Sequence, residues 1–505
     1  MSTLSAEGGS LPAGRDGART ADEKYGLGGS FRIFMADFLM LPTGILTVAF
    51  LTRRLGPTEF GLFTMAATII AWVEWSIVSL FSRATVRLIG ESRDWQPAGT
   101  TVLRLHLAAA AIATATVWVF AGSIAALLHE PALAGILRLF ALEIPLFGIA
   151  YAHRDVLVGT GRYNERARMS GARWIVRLIL VIALVGAGLS ITGAILASMG
   201  GLLVELIIAR RYVQPTVFGR SSLPIRRVLL VAVPLVVFGL CMRAFDRVDL
   251  LVLKALGSTA ADAGVYAAAQ SLALLPGLFT LSFSPVLLST LTRALREGKD
   301  AIARSLTRDA LRMGLRLLPF GGLVAGSAAE IVLFVFGPLY APAKGVLAVL
   351  TFGALSLVIV SISTAVLTAI NRARFAATLG IALLVSATVG HLLVIPHFGA
   401  MGAAVVTTSV AAAGAFAALI ALYSAWRVAP PLPSLLRSVA VTSGVFALAT
   451  FLPASGLLLI AKLPVLAILS IGALHLLGEF TGPELAIARE TVVRAFTSRE
   501  SATGA

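Results

Sequence analysis

Apolar stretches of about 20 residues recur along almost the whole chain, fourteen of them between residues 31 and 477. No other feature restricts the fold so strongly. A helix needs about 20 apolar residues to cross a bilayer, and it satisfies its own backbone hydrogen bonds while doing so. The stretches are rich in Leu, Ala and Val and lack the period-two alternation of a membrane β-barrel strand. Only 13% of the 505 residues are charged, about half the share that a soluble domain needs for its surface. The sequence therefore predicts an all-α, polytopic membrane protein with about 14 transmembrane helices.

The net charge of +16 does not point to nucleic acid, because the basic residues form no single patch. They alternate with the spans. Arg83, Arg87 and Arg93 follow the second span, Arg162, Arg166 and Arg168 the fourth, and Arg210, Arg211, Arg220, Arg226 and Arg227 the sixth. Arg293, Arg296 and Lys299 follow the eighth, Arg372 and Arg374 the tenth, and Arg427 and Arg437 the twelfth. The opposite loops are nearly bare, and the stretch from Gly186 to Gly193 carries no charge. Basic residues collect in short cytoplasmic loops, so both termini are expected in the cytoplasm. Residues 1–29 are rich in Gly, Ser and Ala and read as a disordered tail. No cleavable signal peptide is expected. The 479–505 tail is also placed inside, where Thr481–Glu484 suits a helix cap and Leu485, Val492 and Phe496 fall on one face. Cys241 stands alone, without metal-ligand spacing, so neither a metal nor a cofactor is expected.

The chain repeats itself at an offset of about 200–210 residues. LGPTEFGLF (Leu55–Phe63) is echoed by LGSTAADAGVY (Leu256–Tyr266), GTGRYNERARMSGA (Gly159–Ala172) by AINRARFAATLG (Ala369–Gly380), and GLSITGAILA (Gly188–Ala197) by HFGAMGAAVV (His397–Val406). Three echoes in one order predict two pseudo-symmetric six-helix lobes with a site between them. The expected units are an N-lobe over 30–209, a cytoplasmic linker over 210–228, a C-lobe over 229–426 and two additional C-terminal helices over 427–478. Two lobes that already enclose a cavity predict a monomer.

The turn after the first span, its second-half counterpart, the Gly161–Tyr163 turn and the Gly399–Ala404 segment together resemble the polysaccharide transporter family, which includes the O-antigen flippases. That family belongs to the multidrug/oligosaccharidyl-lipid/polysaccharide exporter superfamily. The resemblance covers roughly residues 30–477. It implies two lobes around a central cavity, alternating access, and export of an undecaprenyl-diphosphate-linked oligosaccharide across the bacterial inner membrane. It also implies hand-over to a polysaccharide polymerase or export machinery. Membrane lipids are the remaining expected partner.

Ionisable residues inside spans are costly, and so mark candidate sites. Arg243, Asp246 and Arg247 share one face of the seventh span. The repeat register places Arg243 near the bilayer midplane, because Pro42 occupies the matching position in span one. Two guanidinium groups against one carboxylate suit a diphosphate, which Arg grips through paired hydrogen bonds. Glu74, beside Trp72 and Trp75, and Asp37 are charge-pairing or ion-coupling candidates, as is Asp246. Arg83 and Arg87 share a face at the inner end of span two, where they either reach lipid headgroups or contact phosphate entering the cavity. Glu143, Glu205, Glu330 and His391 read as helix-end residues reaching water. Pro42, Pro145, Pro234 and Pro276 are candidate bending points.

No phosphate-binding glycine loop and no zinc-protease motif is present, so the chain reads as a transporter and not an enzyme. The competing readings are a drug or cation exporter, which needs an acidic cavity, and a flippase for lipid II. A membrane-embedded polymerase or glycosyltransferase is a fourth, and it needs a large external loop.

Overall fold

The computed structural model describes residues 36–91, 94–218 and 225–480. The N-terminal tail, Arg93, Arg220 and the capping and amphipathic features after Phe480 lie outside the described residues, as do the side chains of Arg83 and Arg87. Everything described is helix or short turn. The first helix, Met40–Glu91, folds at Gly56 into α1 (40–55) and α2 (57–91). There follow α3 (Gln96–Leu127), α4 (Ala132–Gly159), α5 (Tyr163–Gly186) and α6 (Ser190–Arg210). The second group begins with α7 (Ile225–Ala255) and α8, whose pieces are Ala260–Ala273 and Gly277–Arg296. Next are α9 (Asp300–Leu315, Leu318–Gly326 and Ala328–Val335) and α10 (Ala343–Ala369). Helix Ala373–Trp426 folds at Gly399 into α11 (373–398) and α12 (400–426). Last come α13 (Leu432–Phe451) and α14 (Leu458–Leu476).

Among the described residues, nine helices are individually long and apolar enough to cross a membrane. Two of the nine are double rods, folded at Gly56 and Gly399. The pair Asp300–Gly326 and Ala328–Val335, bent by 68°, adds a further span, and α7 and α8 bring the described residues to the fourteen rods expected. An even number of crossings returns the chain to the face where it began. We call that the proximal face. It holds residue 36, residue 480 and the arginine-rich turns, while the turns at Gly56, Gly188, Gly257 and Gly399 form the distal face.

The internal repeat is written in the backbone. Gly56 and Gly257 both take positive φ, at 72° and 96°, and so do Gly188 and Gly399, at 95° and 55°. Gly161 has φ 74° and its counterpart is Asn371 at 65°, Asn being a residue that tolerates the left-handed region. Helices α1–α6 pack among themselves, as do α7–α12, and the groups meet mainly where α1 and α2 touch α7 and α8. Helices α13 and α14 lie against α9.

Proline positions explain several breaks. Pro145 follows the interruption at Leu142 within α4, and Pro276 sits at the break within α8. Each proline lacks the N–H that would bond four residues back. Pro42 likewise stands three residues after an interruption, at Leu39, between the helical residues 36–38 and α1. Helix α7 runs on through position 234, so no break marks Pro234.

At the distal face the two groups are locked. Gly61 of α2 and Gly264 of α8 cross so closely that a Cβ on Gly61 would sit 2.0 Å from the Ala260 carbonyl oxygen, and one on Gly264 1.9 Å from that of Pro57. Small residues allow this kind of backbone approach between membrane helices. A single buried cluster spans both groups around this crossing, with Leu51, Phe60 and Phe63 against Leu250, Leu253, Tyr266 and Tyr340. Polar latches flank it. The Arg53 guanidinium donates to the carbonyls of Val335, at 3.1 Å, and Phe334. Lys254 pairs with Glu130 at 3.1 Å. Arg53 and Lys254 each stand three residues before a repeat glycine, so the latches are related by the repeat.

Candidate functional site

Below the distal seal, the groups separate around a cavity of about 720 Å³. Its floor lies near Thr64 and it reaches the proximal face beside Asp37, whose side chain is 45% exposed. Five guanidinium groups line it, those of Arg154, Arg166, Arg173, Arg243 and Arg247, against the carboxylates of Asp37, Glu74 and Asp246. The aromatic wall includes Trp72, Trp75, Trp174 and Tyr151.

The cationic wall is built largely by one helix. Arg166, Ser170, Arg173 and Arg177 occur at intervals of four, three and four along α5, which puts them on one stripe. Arg166 meets Asp37, in the short helical stretch just before α1, at 3.2 Å and also donates to Ser170. Glu205 of α6, fully buried, accepts from Arg154 of α4 and, at 3.1 Å, from Arg173. One carboxylate thus neutralises two guanidinium groups only in part. Arg154 lies 4.1 Å from the Tyr151 ring centre and Arg173 5.2 Å from that of Trp174, which leaves their positive faces against aromatic walls.

Helix α7 supplies the facing wall. Arg243 lies 5.1 Å from the Trp75 ring centre, and its carbonyl accepts from the Trp72 indole N–H at 3.0 Å. This seats it beside the middle of α2. Arg247 donates to Gln270 of α8 at 2.8 Å. Gln270 donates in turn to the Asp246 carbonyl at 2.9 Å and to Asp249. Asp249 is buried and also accepts from Tyr266 and from Thr407 of α12, at 3.0 Å for the latter. The network ties α7, α8 and α12 into one rigid support for the two arginines.

Of the sequence candidates, Arg243, Asp246, Arg247, Glu74 and Asp37 all line this cavity. Glu74 has a buried oxygen without a hydrogen-bond partner and lies near Arg173, Arg177 and Glu143. The expectation that Glu143, Glu205 and His391 are helix-end residues reaching water is overturned. They are 3%, 0% and 0% exposed. Glu143 accepts from Ser198 at 2.8 Å, and His391 lies 3.5 Å from the Thr407 hydroxyl. Glu330 does sit near a helix end, but it is tied to Lys462 at 2.5 Å and to the Ala454 N–H at 2.9 Å. Arg166, read from the sequence as part of a basic turn, lies instead on α5, which starts at Tyr163 and carries it and Arg173 into the bundle, while Arg154 joins them from α4. The spacing of Arg166, Ser170 and Arg173 is the signal that places the α5 pair on one face.

Residues 50–345, more than half of the chain, match the family model described as polysaccharide biosynthesis protein. No curated protein sequence matches the chain. Among solved structures, the lipid II flippase MurJ in an inward closed conformation aligns over 91% of this chain and 99% of its own, at 15% identity and TM-score 0.71. An inward-facing MATE family multidrug resistance transporter of the MOP superfamily aligns over 80% and 95%, at 15% identity and TM-score 0.60. A MOP superfamily transporter from Pyrococcus furiosus, described as having a binding pocket of reverse polarity, aligns over 83% and 96%, at 16% identity and TM-score 0.57. These likenesses establish the fold, and with the family match they make the chain a multi-pass membrane protein that belongs to the polysaccharide biosynthesis protein family.

Proposed function

We propose that this protein is a flippase of the bacterial inner membrane that moves an undecaprenyl-diphosphate-linked oligosaccharide by alternating access. The observation that carries the reading is the cavity wall, where five guanidinium groups outnumber three carboxylates among Trp72, Trp75 and Trp174. Guanidinium groups hold phosphate oxygens in pairs. Flat aromatic faces give sugar rings an apolar surface to lie on. The excess of positive charge argues against a cation exporter. Among the described residues every distal turn is short, which argues against a polymerase or glycosyltransferase working on that side.

The basic turns support a cytoplasmic proximal face with both termini on that side, and on this reading the cavity receives its cargo from inside. Arg83 and Arg87 stand at the proximal end of α2 as contacts for the incoming phosphates. The protein works as a monomer beside the machinery that polymerises or exports the glycan. O-antigen and lipopolysaccharide assembly are the expected setting.

The test is translocation of an undecaprenyl-diphosphate oligosaccharide in liposomes, read as glycan appearing on the opposite leaflet. Wild type should translocate, and Arg243→Ala and Arg247→Ala should each lower the rate about tenfold, the loss of roughly 1.4 kcal/mol of binding. Wild-type rates in both variants would remove α7 from the site. No translocation by folded wild type, together with gradient-driven efflux of a cationic dye, would overturn the reading.

A further inference from the structure

A second cluster of ionisable groups lies behind the cavity wall, where α2, α3 and α4 meet. His106 of α3 is fully buried and Asp155 of α4 is 3% exposed. His106 Nδ1 lies 3.0 Å from the Val102 carbonyl oxygen. A carbonyl only accepts, so Nδ1 carries the hydrogen, and Nε2 of a neutral ring is then a bare lone pair. That lone pair lies 4.0 Å from Asp155 Oδ2. Both atoms are buried and, among the described residues, neither has a hydrogen-bond partner. The other carboxylate oxygen accepts from Ser82 of α2 at 2.8 Å, and the Phe81 ring lies 5.3 Å from the imidazole.

A neutral imidazole and an ionised carboxylate would face each other here as two unsatisfied acceptors. Leaving buried acceptors unpaired costs about 1–3 kcal/mol each. One proton on Nε2 turns two facing acceptors into a donor and an acceptor and cancels the net charge of the pair, and an approach of about 1 Å from the present 4.0 Å completes the hydrogen bond. Among the described residues, Arg154 and Arg166 act on Asp155 through space, but their ion pairs are with Glu205 and Asp37, and Arg210 of α6 acts on the neighbouring His153. His153 itself uses Nδ1 on the Ile149 carbonyl at 2.8 Å.

We infer that His106 and Asp155 form a buried one-proton site, occupied in the conformation described above. The pair is fastened to the transport path at two points, through Ser82 on α2 and through Arg154, the residue preceding Asp155, which lines the cavity. Movement of α2 against α4 breaks the dry contact and admits water, and the proton then leaves. The site thereby links proton binding to the position of the cavity wall.

The decisive measurement is the 15N spectrum of histidine-labelled full-length protein in lipid nanodiscs, between about pH 5 and 8. His106→Gln identifies the resonances. The wild-type Nε2 signal should show a bound or shared proton, and Asp155→Asn, whose amide donates a hydrogen bond but gives up no proton, should turn it into a bare acceptor signal. A wild-type Nε2 that is already a bare acceptor throughout overturns the inference, and this spectrum alone decides the matter if the variant misfolds. Neither outcome depends on the cargo. A failed translocation assay would sink the flippase reading and leave this result standing.

Discussion

Two classes of arginine line the cavity, and they should respond differently to removal of a charge. Arg154 and Arg173 share the buried carboxylate of Glu205, so Glu205→Gln strands two guanidinium groups in a dry interior. Breaking a buried ion pair from one side costs about 3–5 kcal/mol, and a clear drop in the thermal transition of the detergent-solubilised protein is expected. Arg243 is exposed to the cavity and rests on an aromatic ring. Arg243→Ala should melt within a few degrees of wild type even where translocation fails. A matching loss of stability in both variants would mean that Arg243 is structural.

Glu479 anchors helices α13 and α14 to α9 on the proximal face, as Glu330 does through Lys462 at their other end. The side chain of Glu479, fully buried just beyond α14, accepts from Arg312 of α9 at 2.6 Å and meets Arg437 of α13 at 3.4 Å. Burial pushes its carboxyl up, but hydrogen bonds from Arg312, Ser434 and Arg437 and the charge of Arg312 outweigh that, so it titrates below its ordinary value. A carboxyl depressed in the folded state contributes stability above its unfolded pKa, about 4.3, and loses it as pH falls through the folded value. Wild type should therefore lose thermal stability on acidification below about pH 4.3 more steeply than Glu479→Gln, measured by melts across that range. At the distal face, Gly264→Val would drive a side chain into the Pro57 carbonyl. Ala267, 1% exposed on the same helix, is the reporter. An Ala267→Cys thiol should be protected from maleimide in the parent and labelled in the Gly264→Val background.

Elements of this kind differ in how much of them could be read in advance. Span number, the two halves and the turn glycines are local properties, each declared by apolar length or by a backbone conformation that few residues adopt. The α7 cluster was legible because its charges had no solvent to reach. The α5 stripe was not, because Arg166 follows a basic turn and a residue there reads equally well as a loop charge until the start of the helix is known. The roles of Glu205 and Glu479 depend on partners 32 to 167 residues away in sequence, which no periodicity encodes.

On the scale of the whole molecule, the distal seal is two halves gripping each other reciprocally. Arg53 of the first half holds the end of α9, and Lys254 of the second holds Glu130. Lys254 is only 4% exposed, so Lys254→Glu should favour separation of the distal ends, and adding Glu130→Lys should restore closure. The spin-label distance between the turns after α1 and α7 reports it, with lengthening in the single variant and recovery in the double one. Equal distances in all three would assign the seal to the apolar cluster alone. The contact at its centre, between Gly61 and Gly264, is made of main chain. A lock without side chains asks nothing of the residues that meet the cargo. Arginines and tryptophans below it are free to be exchanged for a different cargo while the closing mechanism stays as it is, so this architecture can diversify its freight without redesigning its door.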